Sequence, residues 1–146
     1  MINKVFLCMA FIGLTGCAQH FGSAIPVGLT EGVVLQFPAK GVSRIEAEDI
    51  RFYGESGFLG YVQKERLPKT EQPATGFVKR AFEISKKKDW KVKEISINGF
   101  VGYVVYVENT ATLHLASDQN AELIFTISAA DPNKIDDIIA TLRTSR

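Results

Sequence analysis

The stretch ISINGFVGYVVYVENTATLHLASDQNAELIFTIS, Ile95 to Ser128, decides the fold. Asn98-Gly99 is the preferred dipeptide of a two-residue hairpin, because both positions tolerate positive φ. The run Phe100–Val107 is apolar on both faces, which predicts a central strand covered on both sides. Asn109-Thr110 is expected to make the next turn. Leu113 and Leu115 then alternate with His114 and Ala116. Asp118-Gln119-Asn120 turns again, and Leu123, Phe125 and Ile127 alternate with Glu122 and Thr126. Period-2 alternation between short turns is the pattern of an antiparallel meander.

Upstream, Trp90–Ile97 (WKVKEISI) is strand-like, but its alternation changes phase at Glu94, which predicts a bulge. Before it, Phe77, Val78, Ala81, Phe82 and Ser85 recur at helical spacing, with Lys79, Arg80, Glu83, Lys86 and Lys87 on the other face. That predicts an amphipathic helix over Thr75–Lys88. Leu67–Pro73 holds two prolines and reads as a loop. Earlier still, Gly32–Phe37 is a short apolar strand stopped by Pro38. Val42–Tyr53 alternates weakly, and Phe58–Val62 is a strand preceded by a Gly54–Gly57 turn. Downstream, Asp131 is placed to cap a closing helix with Pro132 in its first turn. Ile135, Ile138, Ile139 and Leu142 form its apolar stripe, with Arg143 and Arg146 at its carboxyl end, where the helix dipole favours cations. The sum is an α+β domain over 29–146: an antiparallel sheet packed by two main helices.

The first residues have a different character. Lys4 is followed by an apolar run, Val5–Leu14, of about ten residues, the architecture of a secretory signal. It is too short for a hydrocarbon core, which takes about 20 apolar residues. Leu14-Thr15-Gly16-Cys17 resembles the lipobox of bacterial lipoproteins. That resemblance implies cleavage of 1–16 as a lipoprotein signal peptide and diacylglyceryl modification of Cys17. Cys8 falls in the discarded segment, so Cys17 is expected to be the only mature cysteine; an exported chain cannot pair it internally, and lipidation accounts for it. Acyl chains at about 0.8 kcal/mol per buried CH₂ make a stable anchor. Ala18, rather than Asp, follows the cysteine; the resemblance implies an outer-membrane location facing the periplasm. The segment 17–28 is expected to serve as anchor and linker, since its glycines and Pro26 show no strand or helix period.

Composition bounds the function. The chain of 146 residues is one domain in size, with 46% apolar and 23% charged residues and a net charge of +1. A balanced charge argues against nucleic acid as partner. The two histidines, His20 and His114, lack the spacing of a metal site, and no cofactor is expected. Glu46, Glu48 and Asp49 read as a solvated strand edge rather than a calcium site. Gly54-Glu55-Ser56-Gly57 reads as a turn, and no P-loop, dinucleotide fingerprint or nucleophile elbow is present. Seven cations fall within fifteen residues: Lys79, Arg80, Lys86, Lys87, Lys88, Lys91 and Lys93. They are either the wet side of an amphipathic helix or a face for anionic headgroups or an acidic protein. Tyr103 and Tyr106 are core residues by default and otherwise candidates to line a groove.

Taken together, the strand ending in Phe37-Pro38, the helix FVKRAFEISKKK, the meander and the closing DPNKIDDIIATL resemble the PsbP/DcrB-like fold over about Gly28 to Leu142. The resemblance implies a mostly non-catalytic group of envelope lipoproteins, assembly factors and secretion adaptors, with no catalytic residues to carry over. The leading expectation is a lipid-anchored protein-binding module without enzymatic activity, in an immunity, envelope-assembly or secretion role. A small-ligand or lipid carrier is the second expectation, and a hydrolase with an unrecognised carboxylate site the third.

Overall fold

The structure, a computed structural model, describes residues 24–30, 33–40, 42–46 and 49–144. The signal segment 1–16, Cys17, His20, Glu48 and Arg146 lie outside the described residues. The chain forms β1 (Ile25–Thr30), β2 (Val33–Phe37), β3 (Val42–Glu46), β4 (Asp49–Gly54), β5 (Gly57–Arg66), α1 (Ala74–Lys87), β6 (Lys91–Ile97), β7 (Phe100–Val107), β8 (Thr110–Ser117), β9 (Leu123–Ala129), α2 (Lys134–Ala140) and β10 (Arg143–Thr144). Among the described residues it is an α+β fold with two α-helices and antiparallel strand pairs.

The meander is present as read, and it extends into a seven-stranded sheet of order β3-β4-β5-β9-β8-β7-β6. Asn98 and Gly99 have φ of 50° and 78°, as the hairpin turn requires. The next turn sits one residue earlier than expected. Val107 pairs with Thr110, and Glu108 takes the positive φ of 49°. β7 is covered on both faces, as its sequence demands, but it is next to the edge strand; β9 is the middle strand.

No bulge interrupts β6, which pairs with β7 in continuous register from Lys91 to Ile97. The phase change has another cause. Val92 packs under α1, whereas Ile95 and Ile97 lie on the opposite face, in the larger core. An edge strand covered on one face near its start and on the other near its end shows two apolar phases without any extra residue.

The opening strands do not join this sheet. β1, β2 and β10 form a separate three-stranded sheet, in which Ile25–Gly28, assigned to the linker by sequence, make up most of β1. Pro26 is tolerated because β1 is an outer strand. Arg143 likewise does not end a helix; it pairs with Val34 in β10. The weakly alternating segment Val42–Tyr53 is two strands, β3 and β4, rather than one.

The seven-stranded sheet therefore has two covers. The small sheet and α2 enclose the larger core, with Leu35, Phe37, Phe52, Phe100, Leu113, Phe125, Ile127 and Ile135 all essentially inaccessible. Phe37 of β2 stacks on Phe52 of β4 with ring centroids 4.0 Å apart and 8° between planes. Gly60 makes room for it: its φ is 146°, and a Cβ there would overlap the Ser128 carbonyl and come 2.7 Å from the Phe37 ring. On the other face α1 lies across β7 and β8 and buries Val78 against Tyr103, Val105, Ala116 and Ile124.

Backbone bonds, not caps, fix the helix starts. α1 follows Pro73 with no side-chain cap, and its Ala74 N–H donates to the Ala121 carbonyl in the β8–β9 turn. It ends where Asp89 takes a φ of 55°. Asp131 does cap a turn, accepting from the Asn133 N–H at 3.0 Å, but the α-helix begins only at Lys134. Thr141 then ties α2 to β2, accepting from the Gln36 N–H at 2.8 Å, and the Asn98 amide donates to the Leu142 carbonyl at 2.8 Å.

Candidate functional site

The basic run does not form one face. Lys79, Arg80, Lys86 and Lys87 lie exposed on α1, and Lys88 follows it directly. Lys91 and Lys93 belong to β6 and point to the other side of the sheet, because alternation along the strand puts them in phase with Ile95. Lys91 lies over the Tyr106 ring, 4.8 Å from its centroid. Lys93 donates to Asp136 of α2 at 2.8 Å, and that bond raises its pKa. Several of the helical cations are also engaged. Lys86 pairs with Glu83 at 2.6 Å and lies over Phe82, and Arg80 reaches the Glu71 carbonyl at 3.4 Å. No such partner accompanies Lys79 or Lys87 among the described residues.

The carboxyl end of α1 combines these charges with exposed apolar surface. Ile84 is 54% exposed, Trp90 45% and Val107 47%. Lys88 Nζ lies 4.8 Å from the Trp90 ring centroid. Trp90 and Val107 sit at facing ends of β6 and β7, just beyond their last paired residues, Lys91 and Tyr106. This end of the helix thus has an aromatic and two aliphatic side chains among Lys86, Lys87 and Lys88.

Tyr103 is buried rather than lining a groove; its ring packs 5.7 Å from Phe82 and 5.1 Å from His114, and burial raises its pKa. Beyond the reach of α1 the same sheet face becomes polar. His114 Nδ1 lies 3.2 Å from the Thr126 hydroxyl, and Thr112 bonds Ser128 at 3.3 Å. Burial lowers the His114 pKa.

This polar face runs on into a cleft of about 390 Å³ lined by Asp49, Arg51, Phe58, Tyr61 and Gln63. β4 and β5 assemble it by direct pairing of Arg51 with Tyr61 and of Asp49 with Gln63. Arg51 Nε donates to Asp49 Oδ2 at 2.9 Å. The second carboxylate oxygen, Asp49 Oδ1, is buried and has no hydrogen-bond partner among the described residues. Burial, and then the Asp49 charge, raises the Tyr61 pKa, so its phenol keeps its proton. Sequence reading takes Asp49 as a wet edge and Phe58–Val62 as a strand. The signal it passes over is the shared alternation of Asp49-x-Arg51 and Tyr61-x-Gln63, polar on the face opposite Ile50-x-Phe52 and Gly60-x-Val62.

A second cavity, of about 350 Å³, opens between β2, β5 and the start of α2, lined chiefly by Phe37, Phe58, Leu59, Lys134 and Ile138. Gly54–Gly57 is the tight turn between β4 and β5, as its glycines suggest. Among the described residues no three His, Cys, Asp or Glu side chains are grouped to hold a metal, and no helix is long and apolar enough to cross a membrane. No family model matches the chain, and no curated protein matches it significantly.

Proposed function

We propose that this protein is a binding module of the bacterial cell envelope, anchored by lipid on Cys17 at the outer membrane and facing the periplasm, which engages a protein partner and has no enzymatic activity of its own. The observation that carries the reading is the carboxyl end of α1, where exposed Ile84, Trp90 and Val107 stand among Lys86, Lys87 and Lys88. Interfaces are built in that way, with an aromatic centre that excludes water and a charged rim that steers encounter. The partner surface it fits is acidic around an apolar centre. An immunity, envelope-assembly or secretion role suits such a module, and the PsbP/DcrB-like resemblance, with its non-catalytic members, is carried forward as part of this proposal. The 350 Å³ cavity favours a second reading, a small-ligand or lipid carrier.

The test uses the full chain in membranes. Replacing Lys86, Lys87 and Lys88 together by Gln leaves the helix intact, since Gln and Lys have similar helix propensity. Partner capture from envelope extract should weaken at low salt and converge with wild type at high salt, with circular dichroism unchanged. Cys17→Ser should abolish labelling by a fatty-acid analogue and release the chain from the membrane fraction. Equal capture at both salt concentrations would remove the basic end of α1 from the interface.

A further inference from the structure

The cleft on β4 and β5 has the chemistry of a site, and what it demands of a ligand follows from its own groups. Asp49 and Arg51 neutralise each other, so an anion such as phosphate gains no net charge there. β4 lies between β3 and β5, and β5 between β4 and β9, so neither offers a free backbone edge on which a peptide strand would add. Recognition must come from side chains alone. The Asp49 carboxylate is committed inside the cleft wall: Oδ2 accepts from Arg51 Nε at 2.9 Å and Oδ1 is buried, so the groups left to face a ligand are neutral. Gln63 is exposed and offers an amide that both donates and accepts. The Tyr61 phenol keeps its proton as a further donor. Phe58 is 43% exposed, held edge-on by Tyr53 at 5.4 Å, and presents an apolar ring surface at the mouth of the cleft.

A ligand that meets all these demands is neutral, carries several hydroxyls and has one apolar face. We infer that the Asp49–Arg51–Phe58–Tyr61–Gln63 cleft binds a saccharide. The C–H face of one sugar ring lies on the Phe58 and Tyr61 rings, and its hydroxyls meet the Gln63 amide and the Tyr61 phenol. The cleft volume of about 390 Å³ falls within the range of small-molecule sites and is open enough to admit one end of a longer glycan. The inference is independent of the protein-binding role proposed above, because the cleft and the basic end of α1 are formed by different residues on different strands.

Saturation-transfer NMR on the full chain tests it, with the protein in detergent for the soluble sugars and reconstituted without detergent for the vesicles. The probes are soluble tetrasaccharides of glucose and of N-acetylglucosamine, and vesicles carrying a galactosyl glycolipid. Transfer from the protein to sugar ring hydrogens of any probe is expected. Phe58→Ala and Gln63→Ala should each weaken it about tenfold with an unchanged melting temperature. Lys87→Gln should leave it intact. Binding to the soluble sugars assigns the source to a free or cell-wall glycan, and binding only to the vesicles assigns it to a lipid headgroup; both support the site. Absence of transfer with every probe at about 10 mM, or binding indifferent to both cleft variants, would overturn it.

Discussion

On β8, Leu113 and Leu115 point into one layer and Thr112 and His114 into the other, and the two layers are built on different chemistry. The first is apolar through its centre: Phe52, Val104, Phe125 and Ile127, all essentially inaccessible, meet the small sheet and α2. The second is apolar only where α1 lies on it, then turns to hydroxyls, an imidazole and the Asp49–Arg51 pair. One layer supplies most of the apolar burial that holds the fold. The other holds the groups that a ligand or partner can address, because polar side chains there stay within reach of water.

That contrast can be broken most severely from the apolar side. Ile127→Asp places a carboxylate at a fully inaccessible position in the middle strand, where its cross-strand neighbours, Val62 and Leu113, are both apolar. A cost of several kcal/mol is expected, enough to consume most of the stability of a domain this size. Soluble yield and thermal melting should both collapse. A folded variant with wild-type melting would show that this layer admits water.

A smaller effect separates the layers by pH. Burial holds the His114 pKa below its ordinary value, so the unfolded chain binds a proton at a higher pH than the folded one does. Stability is therefore full above about pH 6.5, the ordinary histidine value, and falls as pH drops from there towards the folded pKa. His114→Gln keeps a partner for Thr126 and removes the titration. The melting temperature of wild type should fall more steeply on acidification than that of the variant. His20 is present in both chains and cancels from the difference. Parallel curves would show that the imidazole is solvated in the fold.

How much of this arrangement was legible depends on which contacts are local. The meander could be read because its turns and alternation lie within a few residues of one another; Asn98-Gly99 states its own geometry. What covers each face could not. The phase change at Glu94 looked like a bulge because alternation within one strand assumes a single cover, whereas β6 has Val92 under one layer and Ile95 under the other. The second sheet escaped for a related reason. β2 reads plainly as a strand, but its partners are Pro26-containing β1 and the two residues of β10, which lies over a hundred positions away in sequence. Seven neighbouring cations suggested a single face, and strand alternation then sends Lys91 and Lys93 to the opposite side from α1. The cleft was visible as polar alternation on two separate segments; only the Arg51–Tyr61 and Asp49–Gln63 pairing joins them.

The smallest expected effect tests how wet the polar layer is. Thr112 and Ser128 face each other across β8 and β9 and share one hydroxyl–hydroxyl bond at 3.3 Å. Ser128 is buried and Thr112 partly so. Ser128→Ala removes one partner and leaves the Thr112 hydroxyl to find water, at a cost of about 1 kcal/mol. Adding Thr112→Val removes the orphaned hydroxyl while keeping the branched shape that suits a strand. The double variant should recover most of the loss, because deleting both partners of a bond is close to neutral when the shape is kept. Urea unfolding of the two single variants and the double measures the coupling directly. A coupling near zero would mean that water already satisfies Thr112 in the wild type, and that the polar layer is open to solvent well inside the margin of α1.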